Sequence, residues 1–130
     1  MTKVLIAEDS VVNRELLREL LEARQCEVVE AKDGIEALEA IARARPEILL
    51  LDINMPRLDG FGVIQKVREN PDTADLPVLA VTAYAMRGDR ERILSAGFDG
   101  YLSKPVSADL LGREIARVLG RLSNSAQASG

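Results

Sequence analysis

Glu8, Asp9, Asp52, Thr82 and Lys104 each stand at the end of a short apolar run. Glu8 and Asp9 close Val4-Leu5-Ile6-Ala7, and Asp52 closes Ile48-Leu49-Leu50-Leu51. Thr82 follows Val78-Leu79-Ala80-Val81, and Lys104 follows Tyr101-Leu102-Ser103. If the runs are parallel strands, their carboxyl ends share one edge of a sheet, where open α/β folds bind ligands. A carboxylate ending a wholly apolar strand carries a desolvation cost that something must offset. Three acids brought together also raise one another's pKa. A hard divalent cation removes that repulsion, and Mg²⁺ favours a few carboxylates, a carbonyl and several waters while still accepting a phosphate oxygen. One reading gives each of these residues a role: the acids hold a divalent cation, Asp52 takes a phosphoryl group, and Thr82 and Lys104 bind its oxygens.

Each signal is weaker alone. Glu8-Asp9 reads equally as a solvated turn or a helix cap near Ser10. Thr82 reads as an ordinary strand residue with small Ala83 beside it. Lys104-Pro105 is compatible with a surface lysine, although the residue before proline is pushed to an extended, sharply aimed conformation, and the bond can be cis. Asn54-Met55-Pro56 and Asp59-Gly60 punctuate a βα loop. Their common placement on one edge is what favours chemistry.

The elements that must bring these residues together are legible as strand runs Lys3–Ala7, Glu27–Ala31, Ile48–Asp52, Pro77–Thr82 and Gly100–Ser103. Between them lie amphipathic stretches with helical spacing. Leu16, Leu17, Leu20 and Leu21 mark the first helix; Ile35, Leu38, Ile41 and Ala42 the second; Phe61, Ile64 and Val67 the third. Met86–Ala96 is a weak fourth helix, with Met86, Ile93 and Leu94 as its main apolar residues. Leu110, Leu111, Ile115, Val118, Leu119 and Leu122 mark the fifth. Asp33 and Ser107 are candidate caps, and Pro46 and Gly97 candidate stops. Strands alternating with helices predict a parallel sheet covered on both faces. The all-apolar Ile48–Leu51 run belongs at its centre. The expected fold is α/β with five parallel strands in the order 2-1-3-4-5, flavodoxin-like, with the switch point between strands one and three.

The 130 residues make one domain, expected over 1–121, with 122–130 a flexible polar tail. A net charge of −4 offers no basic field for nucleic acid. The absence of histidine removes His-based triads and His-ligated metals. It also means that the chain cannot itself carry a phosphohistidine. The single Cys26 allows no internal disulfide and fits a reducing compartment. No signal peptide or membrane-length run is visible, so a cytoplasmic location without membrane contact is expected.

Taken together, Glu8-Asp9, Leu51-Asp52-Ile53-Asn54-Met55-Pro56, Asp59-Gly60, Thr82-Ala83, Tyr101 and Lys104-Pro105 resemble the receiver domain of two-component response regulators, of the single-domain chemotaxis-regulator type. The resemblance covers roughly residues 3–121. It implies that Asp52 is phosphorylated from a phosphohistidine on a sensor histidine kinase or histidine phosphotransfer protein. It implies that Mg²⁺ is ligated by Asp9, Asp52 and the Asn54 backbone carbonyl, with Glu8 acting mainly through water, and that Thr82 and Lys104 bind the phosphoryl oxygens. Phosphorylation would then shift Thr82 and Tyr101 and alter the surface of helix four, strand five and helix five for a downstream protein. Asn54 and Tyr84 are expected to tune dephosphorylation, with the Tyr84 ring slowing it. Such a chain acts on itself and is no enzyme in the usual sense. It is a monomer or a phosphorylation-dependent dimer, and either a complete regulator or a receiver from a larger protein.

Three rival readings stand beside this one. A metal-dependent phosphatase with an Asp nucleophile, of the dehalogenase-like kind, would need a second acid where Asn54 stands and its nucleophile after the first strand. A flavodoxin-like cofactor module would need a Ser/Thr/Gly-rich phosphate loop where Glu8-Asp9-Ser10-Val11-Val12-Asn13 occurs. A constitutive docking module would not need the full acid set.

Overall fold

A computed structural model describes residues 2–83 and 87–129, with backbone alone for 87, 88 and 121–129. Tyr84, Met86 and the Leu122 side chain thus lie outside the described residues.

The chain alternates strand and helix: β1 (Lys3–Ala7), α1 (Val11–Glu22), β2 (Glu27–Ala31), α2 (Gly34–Ala44), β3 (Ile48–Asp52), α3 (Gly60–Glu69), β4 (Val78–Thr82), α4 (Arg87–Ser95), β5 (Gly100–Ser103) and α5 (Ala108–Ser129). The strands form one parallel sheet in the order β2-β1-β3-β4-β5, as the sequence predicts. β4 starts one residue later than the apolar run. Proline lacks the N–H needed for a ladder, although the Pro77 carbonyl still accepts from the Leu49 N–H.

Alternation along each strand divides the core into two layers. Leu5, Ala7, Leu49, Leu51, Val78 and Ala80 pack with α2, α3 and α4. Val4, Ile6, Ile48, Leu50, Leu79 and Val81 pack with α1 and α5. Every residue of β3 and β4 is buried, which is why those runs lack polar alternation.

Helix boundaries follow local chemistry. Ser10, not Asp9, caps α1 by accepting from the Asn13 N–H. Asp33 caps α2 through the Glu36 N–H, and α2 ends on Arg45 in left-handed conformation just before Pro46. Gly97 at φ 111° follows α4, and Ser107 accepts from the Leu110 N–H at the start of α5.

The apolar stripes differ from expectation in detail. In α2 the buried residues are Gly34, Ala37, Ala40 and Ile41; Ile35 and Leu38 are half-buried and Ala42 is exposed. Small alanines let α2 approach the sheet, and its larger side chains flank the contact. Leu16, Leu94 and Leu110, expected in the core, are exposed, whereas Leu17, Ile93 and Leu111 point inward. The α5 backbone remains helical through the segment expected as a flexible tail. Among the described residues, no helix is long and apolar enough to cross a membrane.

Candidate functional site

The sheet delivers the chemistry-bearing residues to one edge through backbone bonds that continue the ladder beyond each strand. The Glu8 N–H donates to the Ala31 carbonyl, the Ile53 N–H to Val81, and the Lys104 N–H to Thr82. Asp52 pairs in register with Val81, and Thr82 with Ser103. Glu8, Asp52 and Thr82 are all buried, with relative exposures of 1%, 3% and 2%, while Asp9 is exposed at the rim.

Carboxylate oxygens of Glu8, Asp9 and Asp52 lie within 4.8 Å of one another. Lys104 enters between the buried pair. Its Nζ is 3.0 and 3.1 Å from the two Glu8 oxygens and 3.2 Å from Asp52 Oδ2. The Lys104-Pro105 bond is cis. The other Asp52 oxygen, Oδ1, accepts from the Asn54 N–H at 3.1 Å, which ties the start of the β3–α3 loop to the site.

One lysine facing three acids leaves the cluster short of positive charge. Burial, and then the neighbouring Glu8, push the Asp52 carboxyl up to about 7. Burial also works against the Glu8 carboxylate. Hydrogen bonds from Asp52, Lys104 and Asn13 outweigh it, so Glu8 sits below its ordinary value. Burial alone would lower Lys104, but its acidic partners raise it. Without a cation, burial and crowding therefore favour a proton on the Glu8–Asp52 pair at a pH where a free carboxyl has lost it. A divalent cation would displace that proton. The donor set, made of oxygen atoms with excess negative charge and one open side, fits a hard cation of the Mg²⁺ kind.

Beside the acids lies a cleft of about 270 Å³ whose lining includes Asn54, Asp59, Phe61, Thr82, Asp89 and Arg92. Thr82 thus stands between the acid cluster and α4. The Arg92 guanidinium carbon lies 4.4 Å from the centroid of Phe61, which meets Phe98 edge-on at 6.1 Å. Tyr101, on β5, is half-buried against the α2–α4 core, and Arg90 lies 5.8 Å from its ring centroid.

Several participants escape a reading of the sequence. Asn13 donates to Glu8 Oε1 at 3.0 Å, and Arg14 donates to the Glu8 carbonyl at 3.0 Å and pairs with Glu30 at 3.3 Å. The first turn of α1 thus braces Glu8. Only the placement of these residues just after a candidate cap could have suggested it. Arg57, in the β3–α3 loop, pairs with Asp33 at 3.1 Å, a contact that no local pattern announces.

Comparison with known proteins agrees with this geometry. Residues 4–116 match the family model of the response regulator receiver domain. The polar-differentiation response regulator DivK of Brucella anthropi is 38% identical over 117 residues, covering 90% of this chain and 95% of that protein. The protein of the same name from Brucella ovis is 39% identical over 121 residues, covering 92% and 98%. Among solved structures, a putative response regulator from Chloroflexus aurantiacus superposes with a TM-score of 0.88 at 31% identity, covering 92% of this chain and 98% of that one. The receiver domain of sensor histidine kinase PA1611 from Pseudomonas aeruginosa, with a magnesium ion coordinated in its active-site cleft, gives 0.85 at 34% identity, also covering 92% and 98%. With the edge-clustered acids, the lysine between them and the five-stranded parallel sheet in place, the chain belongs to the response regulator receiver domain family of two-component signalling.

Proposed function

We propose that Asp52 is the phospho-acceptor of this receiver. The observation that carries the proposal is a buried carboxylate at the carboxyl end of a fully apolar central strand, 3.2 Å from a lysine and crowded by a second acid. Asp9, Asp52 and the Asn54 backbone carbonyl would hold Mg²⁺ directly, with Glu8 behind them. Glu8 suits that outer role because Lys104 and Asn13 already engage its oxygens. When bound, Mg²⁺ neutralises charge on the acids and on the incoming phosphoryl oxygens.

An Asp52 oxygen attacks phosphorus in line as the bond from phosphorus to the donor nitrogen breaks, and the electron pair of that bond leaves with the imidazole. The loose transition state spreads negative charge over the equatorial oxygens. Lys104 turns from the carboxylates to one of them, and the Thr82 hydroxyl donates to another. Water later attacks the acyl phosphate, returning the Asp52 carboxylate and inorganic phosphate. Asn54 and Tyr84 would tune that attack, both assigned from their positions in the sequence. The protein then acts only on itself and turns over no external phosphomonoester.

The donor is a phosphohistidine of a sensor histidine kinase or phosphotransfer protein, in the cytoplasm. The readout is the surface of α4, β5 and α5, reached through Thr82 and Tyr101, which an added dianion at one end of a packed sheet would bias. The test is incubation with acetyl phosphate and Mg²⁺ followed by intact mass. One phosphoryl group is expected on the wild type and none on Asp52→Asn. Equal incorporation into both would refute the assignment.

A further inference from the structure

The β3–α3 loop that carries Asn54 is held at three places. At its start, the Asn54 N–H donates to Asp52 Oδ1. At its end, the Gly60 N–H donates to the Ile53 carbonyl at 2.9 Å, and Asp59 caps α3. In the middle it rests on the first turn of α2. A Cβ at Gly34 would lie 2.1 Å from the Leu58 carbonyl oxygen, so the absence of a side chain there is what lets the Leu58 backbone seat directly on the helix. Next to this seat, Arg57 reaches Asp33 Oδ2 at 3.1 Å. Asp33 divides its two oxygens: Oδ1 caps α2 at 2.8 Å from the Glu36 N–H, and Oδ2 takes the loop arginine.

Arg57 sits at φ 68°, a left-handed conformation that glycine or asparagine adopts more readily than a long side chain. With its guanidinium mostly exposed, the pair contributes little to global stability. The loop nevertheless holds a cation there, opposite a buried acid. Its location offers a reason, since three residues before Arg57 is the carbonyl expected to face the metal. Contacts behind a ligand fix its orientation and so the affinity of a site.

We propose that Arg57 is a positioning residue of the acceptor site: its ion pair with Asp33 seats the β3–α3 loop on α2 and thereby aims the Asn54 carbonyl at the cation. The inference rests on the reading of the acid cluster as a Mg²⁺ site.

Titration calorimetry of the full chain with MgCl₂ tests it. Arg57→Asn removes the charge while suiting the left-handed backbone, and Asp33→Asn removes the charge while still capping α2. Each is expected to weaken Mg²⁺ binding about three- to fivefold. The double variant should be no weaker than either single one, and Arg57→Lys should recover most of the loss. Raising Mg²⁺ should bring acetyl phosphate phosphorylation of both single variants back towards the wild-type rate, as a defect in metal binding rather than in the transfer step requires. If the wild type binds no Mg²⁺, the site reading fails and the inference with it. If the wild type binds but both single variants bind equally well, or if their effects add, the inference alone is overturned. A phosphorylation defect that saturating Mg²⁺ does not repair would also overturn it.

Discussion

Two cations at opposite ends of the sheet meet opposite surroundings. At the amino end of β4, Arg68 donates to the carbonyls of Gly97, Ala74 and Leu76 and pairs with Asp99 at 3.0 Å. The Asp99 oxygen that it meets also accepts from the Val78 N–H at 2.8 Å. One guanidinium thus joins α3, the loop to β4 and the turn before β5, and its positive charge is met by a single carboxylate and neutral dipoles. At the carboxyl end, Lys104 meets two buried carboxylates with a third at the rim. The first pole is satisfied and serves stability. The second is short of positive charge, as the proposed ligand site requires. A site proposed to take a cation and then a dianion cannot balance its charge fully from within, and among the described residues the three-acid group lies at this edge.

The largest expected effect breaks the satisfied pole. Arg68→Ala removes an arginine that is mostly buried and leaves several carbonyls and Asp99 unmatched. It should cost about 2–4 kcal/mol in urea unfolding, with Mg²⁺ affinity retained by the molecules that remain folded. A cost below ~1 kcal/mol would mean that the pole is held by other contacts.

A smaller effect sharpens the other pole. The Asp52 carboxyl lies near 7 in the folded chain against an ordinary 3.8. Between those values the folded state keeps a proton that the unfolded chain has released, so stability falls as pH rises through that window. Glu8, held low, works in the opposite sense below its ordinary 4.5. Urea midpoints of the metal-free protein should therefore decline from pH 4.5 towards pH 7 and flatten above it, and saturating Mg²⁺ should remove the decline. A midpoint that climbs through this window without metal would contradict the site's electrostatics.

The smallest effect lies between the poles. Arg92 over Phe61 and Arg90 near Tyr101 hold α4, a helix whose described side chains include one buried apolar residue, Ile93. Arg92→Ala should cost about 0.5–1 kcal/mol. Hydrogen exchange should speed up in α4 more than elsewhere. Uniform acceleration across the sheet would show that α4 is not a separately loosened element.

The two poles were unequally legible in the sequence. The carboxyl edge could be read because each functional residue ends an apolar run, and parallel strands must align such ends. Strand order was not readable from the runs themselves and was expected from the flavodoxin-like fold; the register is seen only in the structure. The Arg68 pole could not be read. A basic residue in the last turn of a helix is ordinary, and its partners are backbone carbonyls and an acid up to 31 positions away. The Arg57–Asp33 contact and the bracing of Glu8 by Asn13 and Arg14 were hidden for the same reason. They join segments that only the fold brings together. In α2 the stripe of larger apolar residues misled, because close approach to a sheet selects alanine. The switch roles expected of Thr82 and Tyr101 rest on family resemblance alone, since a buried threonine and a half-buried tyrosine are ordinary residues of a parallel sheet.

The contrast between the poles is tested most directly by urea unfolding of the wild type and Asp52→Asn, each with and without saturating Mg²⁺. Without metal, Asp52→Asn should be the more stable, by about 1–2 kcal/mol, because it removes a crowded carboxyl while keeping its shape. With Mg²⁺ the wild type should gain stability and overtake a variant that gains much less. A wild type that is already the more stable without metal, or that gains nothing from Mg²⁺, would contradict the account.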